Sequence, residues 1–381
     1  MPARLLLALV LLVCALAPSA ADAQTTWPVD ATGITPNSTL TINESIALAS
    51  PGDTIAVAPG LYVETVDFAG KDLIVQSTAG PATTTIVGTS YAVRFHTAES
   101  PAAQLDGFQL QTASTRGISI AGGASPTITN CTLLGVPGYP IYIENAGGVL
   151  VQNTTVDGGT YSSGVYVTGS TATFTGLTVT NRTASTFGTI VVDGGSVVSI
   201  TGSTFTGNDG GAAGGAIHVQ QSSSVTVTDS TFTGNVATSG AVLSTNGAAG
   251  VVFRDNLVFD NASGQDGGAL YLAGVPRGFV AGNRFVENHA ADDGGAMTLV
   301  APARIAVLGN TFVGNSSADK GGGGGGNSKQ MAFHKSSSTM VSKCCRLRSA
   351  SFFRRRAIQP ETHSASAKSP PLSRPCGAAS W

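Results

Sequence analysis

An all-β solenoid, wound as a parallel β-helix, is predicted by three features of this 381-residue chain. The first is a repeat. Phe205, Phe232, Phe259, Phe285 and Phe312 follow at intervals of 27, 27, 26 and 27 residues, opening FTGN, FTGN, FDN, FVEN and FVGN. Val179, Val156, Leu133 and Leu110 continue the series backwards at steps of 26, 23, 23 and 23. The second is a strand trailing each Asn: GGAIHV, GAVLS, GGALYL and GGAMTL begin at 214, 240, 267 and 294. The third is alternation within that strand. One inward column reads Ile118, Ile141, Val165, Ile190, Ile217, Val242, Leu270, Met297; a second reads Ile120, Ile143, Val167, Val192, Val219, Ser244, Leu272, Leu299. Period two with β-branched residues is strand patterning. A fixed period of this size means that each turn buries its apolar face only by stacking on its neighbours.

The corners have columns of their own. Asn208, Asn235, Asn261, Asn288 and Asn315 form one, and Asn256, Asn283 and Asn310 another, to which Asn130 and Asn153 are also assigned. Asn tolerates the left-handed backbone of a sharp corner, and stacked amides hydrogen-bond from coil to coil. The glycines before Ala216, Ala269 and Ala296 suit positive φ or a crowded backbone.

In chain order, residues 1–23 have the form of a secretory signal: Arg4, an apolar run from Leu5 to Ala15, and Ala21-Asp22-Ala23 before Gln24. That run is too short to span a bilayer. Residues 24–40 are a lead-in, and 41–319 the solenoid, with 41–88 its cap and first coils and 110–319 its repeats. Ile42, Ile46 and Ala49 fall on one face of a short helix ending before Pro51. Turns at Pro51-Gly52-Asp53 and Pro59-Gly60 bound a strand at 54–57, and 73–75 form the next. A short amphipathic helix over the first coil would shield an open sheet edge.

From Ile42 to Glu64, the order helix, PGDTI, strand, PGLYVE resembles the N-terminal cap of pectin lyase-like right-handed parallel β-helix proteins. The GGA(I/L/V/M) and FxxN repeats resemble the passenger domains of polymorphic outer membrane proteins. Together the resemblances cover about residues 40 to 320. They imply a right-handed coil and leave the activity open, because one fold hosts lyases, hydrolases, esterases, epimerases, adhesins and inert surface proteins. PGLYVE (59–64) is similar to a pectinesterase motif, but that family's later Gln- and Asp-bearing motifs are absent, so Glu64 is read as a coil-surface residue. The Gly-His-Gly and Arg-x-Lys segments of polygalacturonases and the Arg-x-Pro-x-x-Arg of pectate lyases are also missing.

Candidate chemistry is sparse. Asp292 and Asp293, with His289 three residues earlier, are the nearest catalytic set, in a variable turn where a solvated surface is the plainer reading. Calcium shared with Asp266 is the one cofactor considered there; otherwise none is expected. His218 is assigned to the outward strand column as an exposed residue. The binding candidates are aromatic: Tyr142, Tyr166 and Tyr271 in that column, with Tyr139, Tyr161 and Phe187 in adjoining loops. Rings on a flat sheet suit stacking against sugars, although cross-strand pairing would also account for them.

Charge narrows the partners. Residues 24–319 hold 8 Lys/Arg against 20 Asp/Glu, a net −12, which excludes a nucleic-acid surface. Cys131 is the only cysteine there, so no disulfide supports the core. The expectation is a secreted or cell-surface monomer without a transmembrane helix, non-catalytic, binding polysaccharide or cell-surface glycan. The alternatives are a polysaccharide lyase or hydrolase, or a structural stalk. Residues 320–381 break the pattern, with 11 Lys/Arg against one acid and Thr339 where a Phe is due. Two readings stand: out-of-frame translation after the Gly321–Gly326 tract, or a disordered basic tail.

Overall fold

The computed structural model describes residues 24–318, apart from 114, 162, 302 and 303; the expected signal segment and the basic tail lie outside these residues. Each turn of chain lays one strand in each of three sheets of 12, 11 and 10 strands. The first sheet runs from Thr26–Val29 to Ile305–Leu308, the second from Gly60–Tyr62 to Thr311–Val313, and the third from Val66–Asp67 to Met297–Val300. Every pairing is parallel and joins a strand to its equivalent one coil on, as in Ile118↔Ile141 and Ile141↔Val165. Inward aliphatics form one continuous core. Among the described residues no helix is long and apolar enough to cross a membrane.

The register corrects one coil. Phe232 pairs with Val258, and Val258 with Phe285, so the buried column passes through Val258 while Phe259 points outward and is 36% exposed. The strand Leu243–Asn246, earlier in the chain, shifts likewise: Ile217 pairs with Leu243, and Val219 with Thr245, leaving Ser244 in the outward column instead of Leu243. Phe253 explains why the core tolerates the smaller Val258. Its ring, from the neighbouring sheet, lies 5.7 Å from Phe232 and 6.3 Å from Phe285, so the aromatic stack continues through it.

The corners separate two jobs that the sequence reading gave to one asparagine. Left-handed backbone falls on the residue before the ladder, such as Asn130 (φ 51°), Asn153 (φ 47°) or Asp255 (φ 58°). Asn130 and Asn153 are exposed, and the column of Asn256, Asn283 and Asn310 continues through Thr154 and Cys131 instead. The ladder asparagines are buried and make bonds. Asn235 Nδ2 donates to Phe205 O (3.0 Å) and Asn261 Oδ1 (2.9 Å), while its Oδ1 accepts from the backbone N and Nδ2 of Asn208 (3.1 and 2.9 Å). Arg182 takes the ladder place one coil below Asn208. Fully buried, its guanidinium donates to the carbonyls of Val136 (2.6 Å), Gly158 (3.0 Å) and Gly138. The paired glycines also divide labour: Gly267 has φ +63°, while a Cβ on Gly268 would collide with Gly295 O.

The cap helix spans Ile42–Leu48, with Ile42, Ile46 and the following Ala49 buried. Thr41 and Glu44 form a capping box. Glu64 is part of this cap and not a free surface group: its carboxylate accepts from the backbone N–H of Ile42 (2.9 Å) and Asn43 (3.0 Å). Lys71 Nζ closes the other end, donating to the carbonyls of Ile46, Ala47 and Ala49 at 2.7, 3.1 and 2.9 Å.

Candidate carbohydrate-binding face

The outward column of the ten-stranded sheet reads Ser119, Tyr142, Tyr166, Val191, His218, Ser244, Tyr271 and Thr298. Its lower tyrosines are half-buried, but Val191, His218, Ser244 and Thr298 are 1–3% exposed. The turn preceding each strand is responsible. Inward residue to inward residue, Leu133 to Ile141 takes 8 positions and Val156 to Val165 takes 9; Val179 to Ile190 takes 11 and Phe205 to Ile217 takes 12. The extra residues fold back over the sheet. A Cβ on Gly214 would stand 2.9 Å from Ser244 Oγ, and Thr298 Oγ1 donates to Asp293 O (3.1 Å). Strands beneath such turns are buried on both faces, as Ile190–Asp193 is throughout. His218 is therefore buried, which overturns its assignment as an exposed residue.

Below this step the face is open and aromatic. Tyr142 and Tyr166 stack one coil apart, centroids 5.6 Å and planes 7° apart. Tyr139 leans on both at 5.4 Å, inclined 56° and 61°. Arg116, in register with Tyr139, holds its guanidinium carbon 3.6 Å from the Tyr142 ring centroid. Tyr166 OH donates to Asp193 Oδ2 at 2.6 Å. Burial, and for Tyr166 that hydrogen bond and the Asp193 charge, push both phenols above their usual pKa, so they stay neutral donors.

At the step itself lies a cleft of about 210 Å3. Tyr139, Tyr166 and Phe187 wall it, Val191 lies beneath, and Ser163 and Gln220 supply polar atoms. Phe187 belongs to the first long turn and is 37% exposed. Its ring stacks on His218 (4.7 Å, 12°), and its carbonyl accepts from Ser163 Oγ (2.9 Å). His218 in turn lies 2.6 Å from Ser244 Oγ through Nδ1 and 3.3 Å from Gln220 Oε1 through Nε2. Burial lowers its pKa, so the ring is neutral.

The remaining candidates lie apart. Tyr271 occupies the same column four coils above Tyr166, about 19 Å away at 4.8 Å per coil. Tyr161 contributes backbone to the strand Thr160–Tyr161; its side chain lies outside the description. Asp292 and Asp293 come together with Asp266, one ligand atom from each within 4.8 Å of the others. His289 is not in that group; its Nδ1 faces Ser316 Oγ at 3.1 Å. The sequence reading missed Ser163, Gln220 and Arg116. Only Arg116 left a signal, standing one coil period from Tyr139.

The family model described as right handed beta helix region matches residues 116–274 and 188–329, together more than half of the chain. No curated protein matches. Among solved structures, the A-module of the Azotobacter vinelandii mannuronan C-5 epimerase AlgE6 is similar at 18% identity, covering 73% of this chain and 93% of that one, with a TM-score of 0.41. PfbA, a surface adhesin of Streptococcus pneumoniae, is similar at 13% identity over 72% of this chain and 86% of its own, with a TM-score of 0.36.

Proposed function

Since the chain belongs to the right-handed β-helix family, whose fold hosts many chemistries, we propose from the site that it is a secreted or cell-surface carbohydrate-binding protein. The observation that carries this reading is the aromatic wall that Tyr139, Tyr166 and Phe187 give a cleft at the step in turn length, with Tyr142 stacked against Tyr166 and Tyr139. Half-buried rings with fixed orientation offer flat apolar faces to a pyranose, and Ser163 and Gln220 offer polar atoms to its hydroxyls. The cluster at Asp266, Asp292 and Asp293 occupies two successive turns several coils above this aromatic face and plays no part in the reading.

The test is glycan binding by the wild type and by Tyr139→Ala combined with Tyr166→Ala. The double substitution is expected to abolish binding while far-ultraviolet circular dichroism stays that of the wild type. Undiminished binding would refute the site. Release of reducing ends or unsaturated uronates from polysaccharide would favour the enzymatic alternative.

A further inference from the structure

Resting on that reading, we infer that the cleft recognises a single neutral sugar ring, a hexopyranose without a carboxylate or sulfate, presented by a chain end or a short branch. Size and charge decide this. At about 210 Å3 the cleft falls below the range of roughly 300–1,000 Å3 that takes drug-sized ligands, so it has room for one ring and not for several residues of a polymer laid lengthwise. Tyr166, Phe187 and Tyr139 wall it at the step, where the first long turn interrupts the flat face of the sheet.

Among the described residues, no charged side chain lines the cleft. Asp193, bonded to the wall residue Tyr166, does not line the cleft; it is 6% exposed and already accepts from Tyr166 OH and from the backbone N–H of Gly194 (2.7 Å). Arg116 lies against the Tyr142 ring. A uronate entering the cleft would lose water from its carboxylate without gaining a cation, which strongly disfavours it. The field adds to this, because residues 24–319 carry a net −12.

The polar end of the cleft is preset as well. Gln220 turns its Oε1 toward His218 Nε2, and an amide oxygen only accepts. His218 therefore carries its proton on Nε2, and Nδ1 accepts from Ser244 O–H. This relay of three side chains fixes the orientation of Gln220 and reserves its amide N–H groups for hydroxyl or ring oxygens of the ligand. His218 and Ser244 are positioning residues, since neither is exposed to a ligand.

The experiment compares methyl glycosides of glucose, galactose and mannose with methyl glucuronide and methyl galacturonide, using saturation-transfer NMR and calorimetry on the wild type and Gln220→Glu. At least one neutral glycoside is expected to bind, with its uronide about tenfold or more weaker. Gln220→Glu, which removes the N–H donors and adds a charge, is expected to weaken the neutral ligand by about tenfold with unchanged circular dichroism. A uronide that binds as tightly as its neutral counterpart overturns the inference and leaves carbohydrate binding standing. Unaltered affinity in Gln220→Glu overturns the relay. Failure of every saccharide, neutral and charged, overturns the inference and the proposed function together.

Discussion

Asn235 at the middle of its ladder offers the sharpest test of what holds the coils in register. Its side chain is fully buried, and four polar groups bond to it: Phe205 O, Asn261 Oδ1, and the backbone N–H and Nδ2 of Asn208. Asn235→Ala removes the amide from all four, but Asn261 Oδ1 still accepts from the Asn235 backbone N–H (2.9 Å) and Asn208 Nδ2 still donates to Val179 O (2.9 Å), so Phe205 O and the Asn208 N–H are the groups left short. Each buried orphan costs about 1–3 kcal/mol; with local relaxation offsetting part of the sum, the loss is on the order of 4 kcal/mol, near the upper end for one substitution. Asn130→Gly is the matched control. Asn130 is exposed and left-handed, a conformation glycine adopts without strain, so the change should stay within about 0.5 kcal/mol. Because repeat arrays need not unfold in one step, urea denaturation is paired with hydrogen exchange read by mass spectrometry. Peptides spanning 205–210 and 232–237 should lose protection in Asn235→Ala and keep it in Asn130→Gly. A loss below about 1 kcal/mol with protection intact would refute the claim that the amide ladder, and not aliphatic stacking alone, secures these corners.

Other substitutions probe other parts. Phe253→Ala empties the ring that bridges Phe232 and Phe285 and should cost about 3–5 kcal/mol, whereas Phe259→Ala, at an outward position, should cost far less; thermal melts of both decide the register of that coil. Arg182→Met leaves the carbonyls of Val136, Gly158 and Gly138 without their donor; at about 3 kcal/mol and roughly 2–4 °C per kcal/mol, Tm should fall by about 6–12 °C. His218 is held neutral, mainly by burial, with a folded pKa below the ordinary 6.5, so the unfolded chain binds the extra proton first. Its contribution to stability should be complete above pH 6.5 and decline as pH falls below it. That slope should shrink in His218→Phe when Tm is followed from pH 8 to 5. Glu64→Gln weakens the acceptor for the helix N-terminus and should cost about 1 kcal/mol by the same melts.

The repeat made most of this fold legible. Inward columns through Ile118, Ile141, Val165, Ile190 and Ile217 stand in register as their spacing implies, because period-two burial leaves a strand no other way to face the core. The reading slipped where chemistry mimicked position. Phe259 looked like the next ring of the series, and only the space filled by Phe253 shows why Val258 suffices. The tyrosine face was visible in the alternation at Tyr142 and Tyr166. The covered state of His218 was not, since alternation says which way a side chain points and not what folds over it. The lengthening of the preceding turn from 8 to 12 residues was the available clue. Glu64 escaped because its partners, Ile42 and Asn43, are more than 20 residues away and reached only after one full coil.

The all-parallel stacking has a mechanical consequence. Ladder hydrogen bonds between coils run along the solenoid axis, so a tether pulling on Ile305–Leu308 along that axis loads one coil at a time instead of shearing many bonds together. The structure should peel in discrete events, each releasing a contour of about 27 residues, or roughly 90 Å at ~3.4 Å per residue. Such a chain yields at low force and lengthens greatly before its far end feels the load, the behaviour of a shock-absorbing tether.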